Sequence, residues 1–154
     1  MSVKLTYYTN SPEETKEIGK ELARLLNSGD IVALNGDLGA GKTAFTQGLA
    51  VGLGITEYVT SPTFTIMNIY ESKLPLYHYD VYRISEPEEM DAIGFNEYLF
   101  GEGVCVIEWS DIIQEILPER IIDIRIYKTE EQNDSRRIEI TMPDELAKLM
   151  EVNK

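Results

Sequence analysis

The chain has 154 residues, 43% of them hydrophobic and 27% charged, the size and composition of one ordinary globular domain, expected to run over 1–154. Its 14 Lys and Arg against 27 Asp and Glu leave a formal net charge of −13; with no basic cluster beyond Arg136-Arg137, direct high-affinity nucleic-acid binding is not expected, because that binding rests on neutralising phosphates. No apolar run is long enough to span a bilayer, no signal-peptide core opens the chain, and the single cysteine, Cys105, lies in an apolar run, so a cytoplasmic protein with one buried structural thiol and no membrane partner is expected.

Val3–Thr9 reads as a short strand. Ser11-Pro12-Glu13-Glu14 reads as a helix start: Ser11 caps, Pro12 suits the first helical position and Glu14 completes a capping box. Ile18, Leu22, Leu25 and Leu26 give this helix its apolar face, and Gly29-Asp30 ends it. Ile31–Leu34 is a short apolar run, consistent with a strand buried on both faces. The segment Gly36–Thr43 follows, then a helix to about Leu53. Thr60–Tyr70 reads as an extended loop and strand, and Leu76–Tyr82 as another strand. Pro87–Ile93 and Asn96–Phe100 read as short helices, Val104–Ile107 as a second fully apolar strand, and Asp111–Ile116 as a short helix stopped by Pro118. Alternating Ile122, Ile124, Ile126 and Ile138, Ile140, Met142, separated by polar Thr129–Ser135, form a late antiparallel pair. Asp144–Glu151 reads as a terminal helix. Helices interleaved with short apolar strands indicate an α/β layered fold.

Gly36-Asp37-Leu38-Gly39-Ala40-Gly41-Lys42-Thr43 matches G-x-x-x-x-G-K-[ST] in full, after a buried-strand pattern and at the start of a helix. Glycines let the backbone curl around phosphates, and successive N–H groups form an anion nest. The helix directs its positive end at the same phosphates. Lys42 reaches the β- and γ-phosphates, and the Thr43 hydroxyl can ligate Mg²⁺. The expected nucleotide-binding set is Asp37, Leu38, Gly39, Ala40, Gly41, Lys42, Thr43 and Ala44. The competing reading is a Gly-rich strand–helix turn with a solvated lysine.

Mg²⁺ usually takes one or two carboxylates besides phosphate and water. Asp80 and Glu108 each end a strand, where the cleft of an open α/β sheet lies, so both are candidate metal-binding and catalytic residues alongside Lys42 and Thr43. The residues alone do not divide their roles. Ser61, Thr63 and Thr65 lie in a hydroxyl-rich loop able to sense a γ-phosphate, or in an ordinary turn. His78, the one histidine, lacks a second His or Cys pattern for a metal site; a packed side chain is the simpler reading. Arg83 suits a phosphate or an acid, and Trp109 suits a ligand, a partner or the core.

Four segments in this order, Gly36–Thr43, Ser61-Pro62-Thr63-Phe64-Thr65, His78-Tyr79-Asp80-Val81-Tyr82-Arg83 and Val106-Ile107-Glu108-Trp109, closely resemble the bacterial TsaE family, formerly YjeE, the ATPases of tRNA threonylcarbamoyladenosine biosynthesis. The resemblance runs from about Thr9 to Arg125. It implies a single P-loop NTPase-like domain, three-layered, with a mixed, mainly parallel central sheet ahead of the late antiparallel pair. It implies ATP and Mg²⁺ as ligands and a low intrinsic ATPase rate. It implies work with TsaB and TsaD, which place the threonylcarbamoyl group on an adenosine beside the anticodon, while TsaC makes the activated donor. By motif, Lys42 and Thr43 would hold phosphates and Mg²⁺, Asp80 would order the metal, Glu108 would position the attacking water, Ser61–Thr65 would act as a switch segment, and Trp109 would lie near the site or a partner surface. The acidic charge agrees with docking on protein partners rather than gripping tRNA. Two alternatives use the same loop: a small-molecule kinase, against which stands the lack of an arginine-bearing lid, and a nucleotide-responsive adaptor with negligible hydrolysis.

Overall fold

The computed structural model describes residues 2–37, 39–62, 66–99, 101–129 and 133–152. Its strands are β1 (Ser2–Thr9), β2 (Ile31–Gly36), β3 (Met67–Tyr70), β4 (Leu76–Asp80), β5 (Val104–Glu108), β6 (Ile122–Lys128) and β7 (Arg136–Pro143). Its α-helices are α1 (Pro12–Ala23), α2 (Lys42–Gly52), α3 (Phe95–Leu99) and α4 (Asp144–Val152). The expected helices at Pro87–Ile93 and near Asp111 are 3₁₀ helices, the latter spanning Ser110–Ile116.

The strands form one sheet in the order β1-β7-β6-β2-β5-β4-β3. β6, β2, β5 and β4 pair in parallel; the late pair β6–β7 is antiparallel, as expected, and β1 and β3 add antiparallel strands at the two edges. The parallel pairing is therefore confined to the middle of the mixed sheet. Every residue of β5 is buried, and β2 is buried up to Asn35, as unbroken apolar runs require when both faces are covered. One face, carrying Val32, Leu34, Val104 and Val106, packs on Leu22, Phe45 and Leu49 of α1 and α2 and on Leu146 and Met150 of α4. The other, carrying Ile31, Tyr79, Cys105 and Ile107, packs on Met90, Phe95, Leu99 and Ile113. This is the three-layer arrangement. Burial holds the Cys105 thiol up at about 12, so it behaves as an inert apolar group.

Ser11 caps α1 by accepting the Glu14 N–H at 3.1 Å, and Glu14 Oε1 accepts the Asn10 N–H at 2.8 Å. The reciprocal bond thus falls one residue earlier than a standard capping box. α1 stops at Ala23, ahead of the expected Gly29-Asp30; Leu25 and Leu26 pack into the core from the turn beyond it. α1 and α2 lie side by side in the same direction, with Thr15 beside Gly41, Lys16 against Gly48 and Lys20 against Gly52. A Cβ on Gly48 would sit 1.9 Å from the Lys16 carbonyl oxygen, and one on Gly19 would sit 2.3 Å from that of Phe45. The two backbones touch because side chains are missing at these points. This contact seats the start of α2, and with it Lys42 and Thr43, at the carboxyl ends of β2, β5 and β4. Among the described residues no helix is long and apolar enough to cross a membrane.

Candidate functional site

A cavity of about 640 Å³ opens at the carboxyl ends of the parallel strands. It is lined by Gly39, Gly41, Lys42 and Thr43 on one side, by Asp80, Tyr82, Arg83, Glu108 and Trp109 on the other, and by Ser61 and Ile66. Strand register explains why the two acids meet there. Asp80 and Glu108 are direct partners on neighbouring parallel strands, and Leu34 is paired with Glu108 on its other side. Alternation puts all three on the α2 face of the sheet.

The loop from β2 to α2 turns through Gly39 (φ 77°) and Gly41 (φ 111°), left-handed conformations that a Cβ resists. Gly41 caps α2 with no side-chain acceptor and no acidic residue in the first turn, so nothing on the helix's own surface neutralises its positive end. Lys42 is 6% exposed. Its ammonium donates to the Gly36 carbonyl and, at 3.3 Å, to that of Asp37, and stands 4.0 Å from the centre of the Trp109 ring. Desolvation holds its pKa below the ordinary lysine value, against the opposing pull of Glu108, Asp80 and Asp37.

Asp80 is held at both oxygens: Ser61 Oγ donates to Oδ2 at 3.1 Å and the Tyr82 N–H to Oδ1 at 3.0 Å. Glu108 is 3% exposed, and His78 is wholly buried behind it, with Nε2 at 2.5 Å from Glu108 Oε2. His78 pairs with Val106, two residues before Glu108, so the imidazole and the carboxylate lie diagonally on one face. His78 Nδ1 has no partner among the described residues.

After Glu108 the chain reverses. Trp109 takes a left-handed conformation (φ 63°) and donates its N–H to the Leu34 carbonyl at 3.1 Å. Asn35 Nδ2 donates to Ser110 Oγ at 2.8 Å, and the Arg125 guanidinium grips both Asp111 oxygens at 2.8 and 2.9 Å. The indole is thereby fixed over Lys42, and exposed Tyr82 packs on it with ring centres 4.8 Å apart.

The structure therefore brings Gly39, Gly41, Lys42, Thr43, Ser61, Asp80, Arg83, Glu108 and Trp109 together around one cavity. Asp37 is exposed beside it, while Ala40 and Ala44 belong to the loop and helix behind the lining. Leu38, Thr63 and Thr65 lie outside the described residues. His78 does not line the cavity; it backs Glu108. Sequence reasoning missed that pairing, which depends on β4–β5 register, and missed Arg136, which reaches the loop from 96 positions away.

A parallel-centred α/β sheet with a Gly-rich loop feeding Lys and Thr into a helix start defines a protein of the P-loop NTPase-like class. The match to known proteins is narrower. Residues 9–138 match the family model described as threonylcarbamoyl adenosine biosynthesis protein TsaE. The chain is 49% identical over 138 residues to the tRNA threonylcarbamoyladenosine biosynthesis protein TsaE of Bacillus subtilis, covering 89% of this chain and 85% of that one. It is 37% identical over 150 residues to the protein of that name from Haemophilus influenzae, covering 94% and 93%. The crystal structure of Bacillus subtilis YdiB superposes with a TM-score of 0.79 at 42% identity, over 99% of this chain and 95% of that one. This chain belongs to the TsaE family of tRNA threonylcarbamoyladenosine biosynthesis.

Proposed function

We propose that this protein binds ATP with Mg²⁺ and hydrolyses it slowly in the cytoplasm, as the ATPase that serves TsaB and TsaD in modifying the adenosine next to the tRNA anticodon. The observation that carries this reading is the placement of Lys42 and Thr43, at the uncapped start of α2, across one cavity from Asp80 and Glu108. The N–H groups of Gly39 and of Gly41 to Ala44 would cradle the phosphates, and Lys42 would exchange its bonds to the loop carbonyls for bonds to phosphate oxygens.

The residues present fit Mg²⁺. The Thr43 hydroxyl and the Asp80 carboxylate are hard oxygen donors in the same cavity. Among the described residues no three His, Cys, Asp or Glu side chains converge on one point, whereas this ion is commonly held by one or two carboxylates with phosphate and water. Bound there, Mg²⁺ would neutralise charge on the phosphoryl group being transferred. Glu108, with Oε2 fixed by His78, would orient a water towards the γ-phosphorus; the water oxygen bonds to phosphorus as the bond to the bridging oxygen breaks, giving ADP and phosphate. With a net charge of −13, docking on protein partners fits the chain better than direct high-affinity tRNA binding.

The test is Mg²⁺-dependent ATP hydrolysis by the purified protein, alone and with TsaB and TsaD, against Lys42→Ala. Slow turnover that rises with the partners and disappears in the variant is expected. Absence of turnover in every mixture refutes the hydrolysis. Turnover indifferent to the partners refutes the role assigned with them.

A further inference from the structure

Among the described residues the Arg136 guanidinium makes four hydrogen bonds, all to backbone carbonyls. Nε donates to Ala40 at 2.7 Å and Nη2 to Gly39 at 3.3 Å, both in the phosphate-binding loop. Nη1 donates to Asn133 at 2.7 Å and Ser135 at 2.8 Å, in the turn between β6 and β7. Arg136 is the first residue of β7 and is paired on one side with Thr9 and on the other with Lys128. Its stem is thus fixed by the sheet while its head is fixed by the turn. No carboxylate lies within ion-pair distance of it among the described residues, although acids outnumber bases almost two to one in this chain.

We infer that Arg136 is a positioning residue for the phosphate nest: it holds the Ala40 carbonyl outward so that the Gly41 N–H points into the cavity. This rests on the nucleotide-binding reading above. In a planar trans peptide the carbonyl of one residue and the N–H of the next point in opposite directions. The Ala40 carbonyl points at Arg136, which does not line the cavity, whereas Gly41 does. The Gly41 N–H therefore faces the side where phosphates would sit, and no acceptor among the described residues takes it. The left-handed Gly41 is a flexible point at which this peptide would otherwise rotate, and a planar guanidinium bonded to two loop carbonyls opposes that rotation. Its charge also lies close to the loop: Nε is 3.9 Å from where a Gly41 Cβ would be, and Lys128 Nζ is 3.4 Å from the equivalent point on Gly39.

The experiment is calorimetric titration of the full chain with ATP·Mg²⁺ and, separately, with inorganic triphosphate, for wild type, Arg136→Gln, Arg136→Lys and Lys42→Ala; thermal unfolding without ligand reads any purely structural effect. Arg136→Gln is expected to weaken both ligands by the same factor, roughly 10- to 100-fold, as loss of charge-assisted bonds predicts. Arg136→Lys keeps the charge but cannot span the two segments, and is expected to show most of that loss; it carries the test if the glutamine variant does not fold. Unchanged affinity in Arg136→Gln, full recovery in Arg136→Lys, or a loss confined to ATP each overturns the inference. Lys42→Ala separates the two levels: if wild type and Lys42→Ala bind ATP alike, the nucleotide reading itself fails, whereas a loss in Lys42→Ala with none in Arg136→Gln refutes only the role of Arg136.

Discussion

Replacing His78 by alanine removes the one hydrogen-bond partner found for the Glu108 side chain among the described residues and opens a hole in a fully buried site. A buried hydrogen bond to a charged group contributes about 1.5–3 kcal/mol. Truncating a large buried side chain adds a cavity cost of similar size. A loss of about 4 kcal/mol is therefore expected. For a protein of this size that lowers the melting temperature by roughly 8–16 °C. His78→Gln places an amide donor near the position of Nε2 and should recover about half of the loss. Urea unfolding followed by Trp109 fluorescence, the chain having one tryptophan, measures both variants. The same pair separates packing from alignment of Glu108: turnover at saturating ATP should fall in alanine and partly return in glutamine, with a much smaller change in KM. A stability loss below about 1 kcal/mol in alanine, less than the weakest bond of this kind contributes, or identical behaviour of the two variants, would refute the claim that His78 holds Glu108 in place.

Two further outcomes concern the scaffold. Arg125 holds the Asp111 carboxyl below its ordinary value of 3.8, chiefly by hydrogen bonding, so the native state favours the ionised form. The stabilisation is complete above the ordinary value and is lost as pH falls through the lowered one. Asp111 is 52% exposed, so the contribution should stay below about 1 kcal/mol. The stability difference between wild type and Asp111→Asn should be constant near neutrality and shrink in acid; a difference that grows on acidification contradicts the assignment. Gly48→Ala should destabilise by about 2 kcal/mol or more in chemical unfolding, because overpacking outweighs the ~1 kcal/mol that alanine gains in helix propensity. A more stable variant would mean that α1 and α2 separate readily.

The contiguous half of the site was legible in the sequence because a phosphate-binding loop is local: Gly36–Thr43 carries its turn, lysine and hydroxyl in one run. Asp80 and Glu108 were legible as strand-end acids, because an apolar run broken by an acid marks where a buried strand leaves the core. Their adjacency, and the bond from His78 to Glu108, were not legible, because both depend on which strands pair and in what register. Arg136 left no signal beyond its place in the one basic dipeptide; its acceptors are carbonyls, which every residue has. Helix lengths were misjudged where tertiary packing prevails over local pattern. Leu25 and Leu26 keep helical spacing yet pack from a turn, and the 3₁₀ form of Pro87–Ile93 carried no periodicity to distinguish it.

The glycine contact between α1 and α2 has an electrostatic consequence. The helices run side by side in the same direction, so their dipoles add where an antiparallel pair would cancel, and the start of α1 lies beside the loop that opens α2, with Thr15 next to Gly41. The chain treats the two ends differently. α1 begins with Ser11 as a cap and with Glu13 and Glu14 in its first turn, whereas α2 begins with Gly41 and has no acid there. One end is quenched from within the chain, and the other keeps its field for whatever anion reaches it.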